Sequence, residues 1–84
     1  MIDLKVDTRE LRASMGRTEL TQSRLAELAN ISPATVSNIL RNEVADLATI
    51  AAMANAISKR LMANGDEGIS PLQLLIAVEV EDAG

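Results

Sequence analysis

Apolar residues recur at helical spacing on both sides of one short interruption in the stretch from Gln22 to Arg41. A spacing of three and four residues is typical of helices that bury one face. The apolar positions are Leu25, Ala26, Ala29, Ile31, Val36 and Ile39. Asn30 lies where the chain must reverse, and Asn tolerates the left-handed backbone that such a turn requires. The pattern predicts two short helices joined by a tight turn.

Residues with capping side chains predict the bounds of these two helices. Thr21 is a suitable N-cap for the first helix, over 22–29, whose inward stripe we expect to include Leu28. Ser32 caps the second helix, and Pro33 fits its first turn, where no amide donor is required. The inward residues of the second helix are Val36, Ile39 and Leu40, and Asn42 is expected to stop it.

A further helix is predicted before this pair. Asp7 and Glu10 have the spacing of a capping box, in which each side chain bonds to the other residue's amide. The helix then covers 8–15, and Gly16 is expected to end it, since Gly readily adopts the left-handed conformation of a helix stop.

A long helix is predicted after the pair. Asp46 can cap a helix over 47–63, which stops at the Asn64-Gly65 pair. Its apolar positions recur at helical spacing and are expected to face inward: Leu47, Ile50, Ala51, Ala54, Ile57 and Leu61.

The chain from Ser70 onward predicts a fifth helix. Ser70, Pro71 and Gln73 repeat the cap–proline opening with a second capping box. The residues that follow are apolar on nearly every side until Glu79, which is more than a solvent-facing helix needs. Apolar residues also alternate with polar ones at both termini, which permits short terminal strands. The alternating residues are Ile2, Leu4 and Val6 at the start, and Val78 and Val80 at the end.

Composition limits the chemistry that the chain can perform. The 84 residues allow one domain at most, so we expect a single domain over 1–84. The chain has no Cys, His, Phe, Tyr or Trp, so we expect no metal site, no cofactor and a wholly aliphatic core. Catalysis would need carboxylate, Lys or Ser chemistry in a pocket, and no such constellation is visible, so we do not expect an enzyme. No membrane span or signal peptide is expected, and the absence of Cys suits a cytoplasmic protein.

Charge is distributed unevenly along an acidic chain. The formal net charge is −4, which by itself argues against binding to nucleic acid. Residues 1–42, however, hold six basic and five acidic side chains, whereas residues 43–84 hold two basic and seven acidic ones. The acidity therefore lies away from the paired helices, and the asymmetry is a weak indication of a face that meets a polyanion.

The stretch from Leu11 to Ile57 resembles the lambda-repressor-like, Cro/CI-type helix-turn-helix family. The matching residues are Thr21, Gln22, Leu25, Ala26, Ile31, Ser32, Val36, Ser37, Ile39 and Ala54. Two positions depart from the family pattern: the turn carries Asn30 where Gly is usual, and Pro33 and Ala34 stand where long polar side chains are frequent. The resemblance implies an all-α, compact five-helix domain with the helix-turn-helix in its second and third helices. It also implies a transcriptional regulator of phage, plasmid or toxin–antitoxin type that binds a two-fold-related operator as a dimer.

If the helix over 33–41 enters the major groove, its outward residues read the bases. These are Pro33, Ala34, Thr35, Ser37, Asn38 and Arg41. Asn38 is the leading candidate, because Asn can pair bidentately with adenine, and Arg41 could read guanine or hold a phosphate. The alternative is that Ser37 and Asn38 are only solvated positions on a surface helix.

Phosphate contacts are expected at the flanks of this helix. Gln22 lies in the first turn of its helix, where free amides and the helix dipole favour an anion. The candidate set is Thr21, Gln22, Arg24 and Asn42, with Arg12 as a further possibility. Thr21 could instead be only a cap, Arg24 only a solvated or ion-paired charge, and Asn42 only a helix stop.

The C-terminal segment, 70–84, carries more apolar residues than a small monomer needs. We interpret it as part core and part homodimer interface, with an entirely intramolecular core as the alternative. The interface residues are Leu72, Leu74, Leu75, Ile76, Val78 and Val80. A different function also fits the acidic half and the apolar end: a protein-interaction module on the same fold, such as an antitoxin or adaptor, with a protein partner.

Overall fold

The computed structural model describes residues 3–76. Within this range the chain forms four α-helices, two short strands and one 3₁₀ turn. The helices are α1 (Thr8–Thr18), α2 (Gln22–Ala29), α3 (Pro33–Asn42) and α4 (Leu47–Ala63), and the strands are β1 (Asp3–Lys5) and β2 (Val44–Asp46). The mostly helical class is confirmed, but the count of five helices is wrong for the described part of the chain.

The predicted fifth helix is a single 3₁₀ turn over Pro71–Leu74. Its opening follows the prediction, since the amide of Ser70 donates to Oε1 of Gln73 at 2.9 Å. Leu75 then forms an antiparallel bridge with Val6, which brings the chain into an extended conformation. Pairing with the N-terminal segment therefore replaces the next turn of helix.

The expected N-terminal strand is present, and its partner is a segment that no sequence pattern indicated. β1 pairs with β2 in antiparallel register, with Lys5 opposite Val44. The carbonyl of Lys5 also accepts a hydrogen bond from the amide of Ile76 at 3.2 Å. The sheet thus joins the N-terminal segment, the start of α4 and the last described residue. Ile2, Val78 and Val80 lie outside the described residues.

α1 is longer than predicted, because Gly16 does not end it. Oδ1 of Asp7 accepts from the amide of Glu10 at 3.1 Å, as an N-cap should, but the Glu10 carboxylate accepts from the hydroxyl of Ser14 instead of returning to Asp7. The helix ends at Glu19, whose φ of 57° is left-handed and whose amide donates to the carbonyl of Gly16 at 3.2 Å. A Gly inside a helix costs only about 1 kcal/mol relative to Ala, so it does not by itself stop one.

The two central helices begin and end as the sequence predicts, apart from the stop of α3. The amide of Arg24 donates to the Thr21 hydroxyl at 3.1 Å, and the amide of Thr35 donates to the Ser32 hydroxyl at 3.1 Å. Asn30 adopts the expected left-handed turn, with a φ of 60°. Local chemistry is therefore sufficient to define this helix pair.

The stop of α3 and the cap of α4 differ in detail from the prediction. Asn42 is the last residue of α3, and the left-handed residue is Glu43, with a φ of 65°. α4 covers the predicted residues, with Asp46 at its N-cap position. Oδ1 of Asp46, however, accepts from the hydroxyl of Thr49 at 2.6 Å instead of from a backbone amide.

A single aliphatic core lies among the four helices, the sheet and the 3₁₀ turn. Its fully buried large side chains are Val6, Leu11, Leu25, Val36, Ile50, Met53, Ile57 and Leu74. Two residues expected to face inward do not: Leu28 is 45% exposed and Leu47 is 55% exposed. Leu28 lies at the edge of the stripe formed by Leu25 and Ala29, and Leu47 is the first residue of its helix. None of the helices in the described range is long and apolar enough to cross a membrane.

Candidate nucleic-acid interface

The outer face of α3 carries the residues predicted to read bases. Pro33, Ala34, Asn38 and Arg41 are exposed, whereas Thr35 and Ser37 are half-buried. Val36, Ile39 and Leu40 bury the opposite face. The helix is thus fixed to the core along one side and presents a short polar side to solvent, as a groove-inserting helix must.

In the first turn of α3, the polar side chains bond to each other and to the backbone as a helix cap. The hydroxyls of Ser32 and Thr35 lie 2.8 Å apart, and the Ser32 oxygen also accepts from the Thr35 amide. The Thr35 hydroxyl is therefore already engaged, which leaves its methyl group, together with the Pro33 ring and the Ala34 methyl group, as apolar surface. Such surface matches the C5-methyl group of thymine.

One side-chain hydrogen bond joins the two helices of the motif. The hydroxyl of Ser37 on α3 donates to Oε1 of Gln22 in the first turn of α2, at 3.1 Å. Because the Gln22 oxygen is engaged, its amide nitrogen is held as a free donor beside the N-terminus of α2. This arrangement brings a predicted base reader and a predicted phosphate ligand together.

A second bond joins the two longest polar side chains of α3. Nη2 of Arg41 donates to Oδ1 of Asn38 at 2.5 Å, one helical turn away. A bidentate contact with adenine needs that oxygen as an acceptor and the Asn amide nitrogen as a donor. With the oxygen engaged by a guanidinium, the pair presents mainly N–H donors to its surroundings.

The start of α2 has the features of an anion site. Thr21 caps the helix through its hydroxyl, so its side-chain oxygen serves the helix itself. Gln22 is exposed in the first turn, where unpaired amides and the helix dipole favour a phosphate. Asn42 is exposed at the far end of α3. These three side chains therefore lie at the start of α2 and the end of α3.

Arg24 is directed away from this face. Its Nη1 lies 2.8 Å from Oε1 of Glu27 on the same helix. Its side chain also lines a groove of about 320 Å³ between α2 and α4. The residues that line this groove are Arg24, Leu28, Ala56, Lys59, Arg60 and Ala63. Of the four predicted phosphate ligands, Arg24 is the one that the structure does not bring to the α2–α3 face.

The predicted dimer residues occupy different environments. Leu74 is fully buried within one chain, so it belongs to the core and offers no surface to a second copy. Leu75 is half-buried against the core. Leu72 is 74% exposed and Ile76 is 42% exposed, which leaves both available for contact. Val78 and Val80 lie outside the described range.

Comparison with known proteins agrees with this geometry. A helix-turn-helix family model matches residues 9–61, which run from α1 to near the end of α4. The chain belongs to the Cro/CI-type helix-turn-helix family. The comparisons with curated proteins and with solved structures gave no match.

Membership in the Cro/CI-type family gives the α2–α3 face its general role. The family is a class of DNA-binding transcription regulators, and its members are not generally enzymes. α2 and α3 are the two helices of the motif, joined at Asn30, and α3 occupies the position of the recognition helix.

Some features of the surface were missed by sequence reasoning. An ion-paired Arg24 was among the alternatives, but its partner was not named; Glu27 lies three residues later, a spacing that indicates an ion pair within a helix. The position of Lys59 and Arg60 beside α2 could not have been predicted, because it depends on how α4 packs. Their one signal is that they are the only basic residues in the second half of the chain.

Proposed function

We propose that this protein is a sequence-specific repressor of phage or plasmid type that binds double-stranded DNA as a homodimer in the cytoplasm. The observation that carries the proposal is the α2–α3 face, where exposed groups of α3 stand beside the capped N-terminus of α2. α3 enters the major groove and the start of α2 lies on the phosphate backbone.

Base reading is proposed for the outward residues of α3. The Asn38–Arg41 pair reads guanine, because guanine presents two acceptors, N7 and O6, to the pair's N–H donors. The apolar tip formed by Pro33, Ala34 and the Thr35 methyl meets a thymine methyl. Adenine, the natural partner of an isolated Asn, is disfavoured as long as Arg41 holds the Asn38 oxygen.

Phosphate contacts are proposed for Gln22 and Asn42, together with free backbone amides at the start of α2. Thr21 acts by capping that helix, and Arg24 is left out because it pairs with Glu27 beside α4. Ser37 contributes by orienting Gln22. Each protomer thus brings few cations to the DNA, and two half-sites are needed for useful affinity.

Dimerisation is proposed through the exposed apolar residues Leu72 and Ile76, the half-buried Leu75, and the segment that contains Val78 and Val80. In the Cro/CI family arrangement, two recognition helices then enter successive major grooves about 34 Å apart. We also propose that the whole chain, 1–84, forms one domain.

The proposal is tested by titrating phage and plasmid promoter fragments with the protein at roughly 50 and 200 mM salt. We expect a specific complex whose affinity falls steeply between the two salt concentrations. The double variant Asn38→Ala with Arg41→Ala should abolish that complex, whereas Arg9→Ala on α1 should preserve it. Absence of a salt-sensitive complex with every fragment would contradict the proposal.

A second function, a protein-interaction module such as an antitoxin or adaptor, is favoured by the exposed groove between α2 and α4. This surface is separate from the outer face of α3, so substitutions can affect the two functions separately. If the protein is such an interaction module, the Asn38→Ala, Arg41→Ala variant loses DNA binding and still binds its protein partner. Loss of both activities in that variant would argue against two separate surfaces.

A further inference from the structure

The groove between α2 and α4 combines exposed apolar surface with cationic walls. Leu28 and Arg24 form its α2 side, and Ala56, Lys59, Arg60 and Ala63 form its α4 side, enclosing about 320 Å³. Leu28 is 45% exposed, and it belongs neither to the buried core nor to the outer face of α3. An exposed leucine framed by long cationic side chains is suited to an apolar segment that carries negative charge.

The charge of this groove is opposite to that of the chain around it. Lys59 and Arg60 are the only basic residues in 43–84, and both line the groove together with Arg24. Glu27 neutralises Arg24 at 2.8 Å, whereas Lys59 and Arg60 form no ion pair with any described residue. The groove therefore keeps two uncompensated positive charges on a protein of net charge −4.

The chain itself contains a segment with the complementary chemistry. Residues 78–82 read Val-Glu-Val-Glu-Asp, with two valines alternating with carboxylates. In an extended segment the valines point to one side and the glutamates to the other. With the valines on the apolar floor of Leu28, Ala56 and Ala63, the glutamates point away from that floor, and the long side chains of Lys59 and Arg60 in the walls extend toward their carboxylates.

We infer that residues 78–82 of one copy bind the α2–α4 groove of a second copy, and that this exchange forms the homodimer. The inference rests on the homodimer proposed above and assigns the surface that receives the segment containing Val78 and Val80. The groove that receives the segment belongs to a second copy, because the segment begins far from the groove of its own chain. The described chain ends at the sheet, where the amide of Ile76 donates to the carbonyl of Lys5. β2 leads into the first residue of α4, and the groove begins nine residues later, at Ala56, or roughly 14 Å along the axis. One residue separates Ile76 from Val78, so two residues of chain can span at most about 7 Å.

The test uses charge reversal on both sides of the contact, in the full chain and without DNA. One variant carries Lys59→Glu with Arg60→Glu, and the other carries Glu79→Lys with Glu81→Lys. Sedimentation equilibrium gives the dimer dissociation constant of each variant, of wild type and of their equimolar mixture. We expect each variant alone to dimerise at least about tenfold more weakly than wild type, which corresponds to about 1.4 kcal/mol. The mixture should recover to within roughly threefold of wild type, because each groove then meets a segment of opposite charge.

The matched control is Arg12→Glu with Arg17→Glu, which makes the same change in net charge at exposed positions of α1. It should leave dimerisation unchanged. Circular dichroism checks that each variant is folded. If a variant is unfolded, its measurement is replaced by a competition experiment. The pentapeptide Val-Glu-Val-Glu-Asp, acetylated and amidated at its ends, then competes with the C-terminal segment of the wild-type dimer. The peptide should lower the dimer fraction, and a Val-Lys-Val-Lys-Lys peptide should not.

Three results would overturn the inference: a wild-type chain that stays monomeric at high concentration, a Lys59→Glu, Arg60→Glu variant that dimerises as wild type does, or a mixture that shows no recovery. None of these measurements contains DNA. Failure of DNA binding would instead appear in the promoter titrations, so the two failures are distinguishable.

Discussion

Ser37 on α3 donates a hydrogen bond to Gln22 on α2, with 3.1 Å between the hydroxyl oxygen and Oε1. The bond joins the recognition helix to the start of the preceding helix on the exposed side of the motif. It fixes the Gln22 side chain so that its amide nitrogen remains free to donate to a phosphate. In the DNA complex proposed above, the positions of the two helices are therefore coupled through these side chains as well as through the core.

Ser37→Ala removes this coupling. We expect DNA affinity to fall roughly threefold to tenfold, because Gln22 loses the partner that orients it, while the free energy of unfolding changes by less than about 0.5 kcal/mol because the lost hydrogen bond is exposed to solvent. Fluorescence anisotropy and urea denaturation measure the two quantities. Ser37→Thr retains the hydroxyl and should bind nearly as wild type does. Equal DNA affinity in the Ala and wild-type proteins would show that the bond has no role in binding.

Arg41 and Arg24 should differ in how they affect the salt dependence of binding. The slope of log K against log salt reports the number of phosphates neutralised, so loss of one phosphate contact lowers it by about one. Arg41 carries its charge into the groove between the phosphates when it reads guanine, so it displaces counterions, and Arg41→Ala should lower the slope by about one per protomer. Arg24→Ala should leave the slope unchanged, because Arg24 pairs with Glu27 beside α4. A lower slope for Arg24→Ala would show instead that Arg24 contacts a phosphate.

Asn38→Ala tests how α3 reads a base. Without the Asn38 oxygen, Arg41 loses its bond within the helix, and we expect the preference for guanine at one base pair of each half-site to weaken by about 1–3 kcal/mol. Binding to operators with each of the four base pairs at that position measures the change. A wild-type preference for adenine there would show instead that Asn38 acts as an independent bidentate reader.

Two glycines should respond oppositely to substitution by alanine. Gly16 lies within α1, and an added Cβ would meet nothing within 4 Å, so Gly16→Ala should stabilise the fold by about 0.5–1 kcal/mol. Gly65 follows α4 with a φ of 87°, so Gly65→Ala should destabilise it by about 1 kcal/mol. Thermal unfolding followed by circular dichroism measures both. A destabilising Gly16→Ala would support the earlier prediction that α1 ends there.

The helix-turn-helix could be predicted from sequence because each of its signals is local. Thr21 and Ser32 bond to amides three residues ahead, and Asn30 takes the left-handed turn through its own conformational tolerance. Membership in the family and the exposed side of α3 follow from the same short patterns. These elements needed no knowledge of distant contacts.

The features that sequence reasoning missed depend on contacts between distant segments. The opening at Ser70 is typical of a helix, yet the bridge between Leu75 and Val6 ends it after one 3₁₀ turn. β2 exists only because β1 pairs with it. The sequence placed Ser37 and Asn38 on the side of α3 opposite its buried residues, as the structure has them, but their bonds to Gln22 and Arg41 depend on rotamers and helix packing.

Selection of bound sequences from a random pool of double-stranded DNA tests the central claim most directly, since it measures binding, symmetry and spacing together. We expect enrichment of two inverted half-sites centred about one helical turn, or 10–10.5 base pairs, apart, each containing a guanine and a neighbouring thymine. Enrichment of no sequence, or of one unpaired site without an inverted copy, would contradict the account.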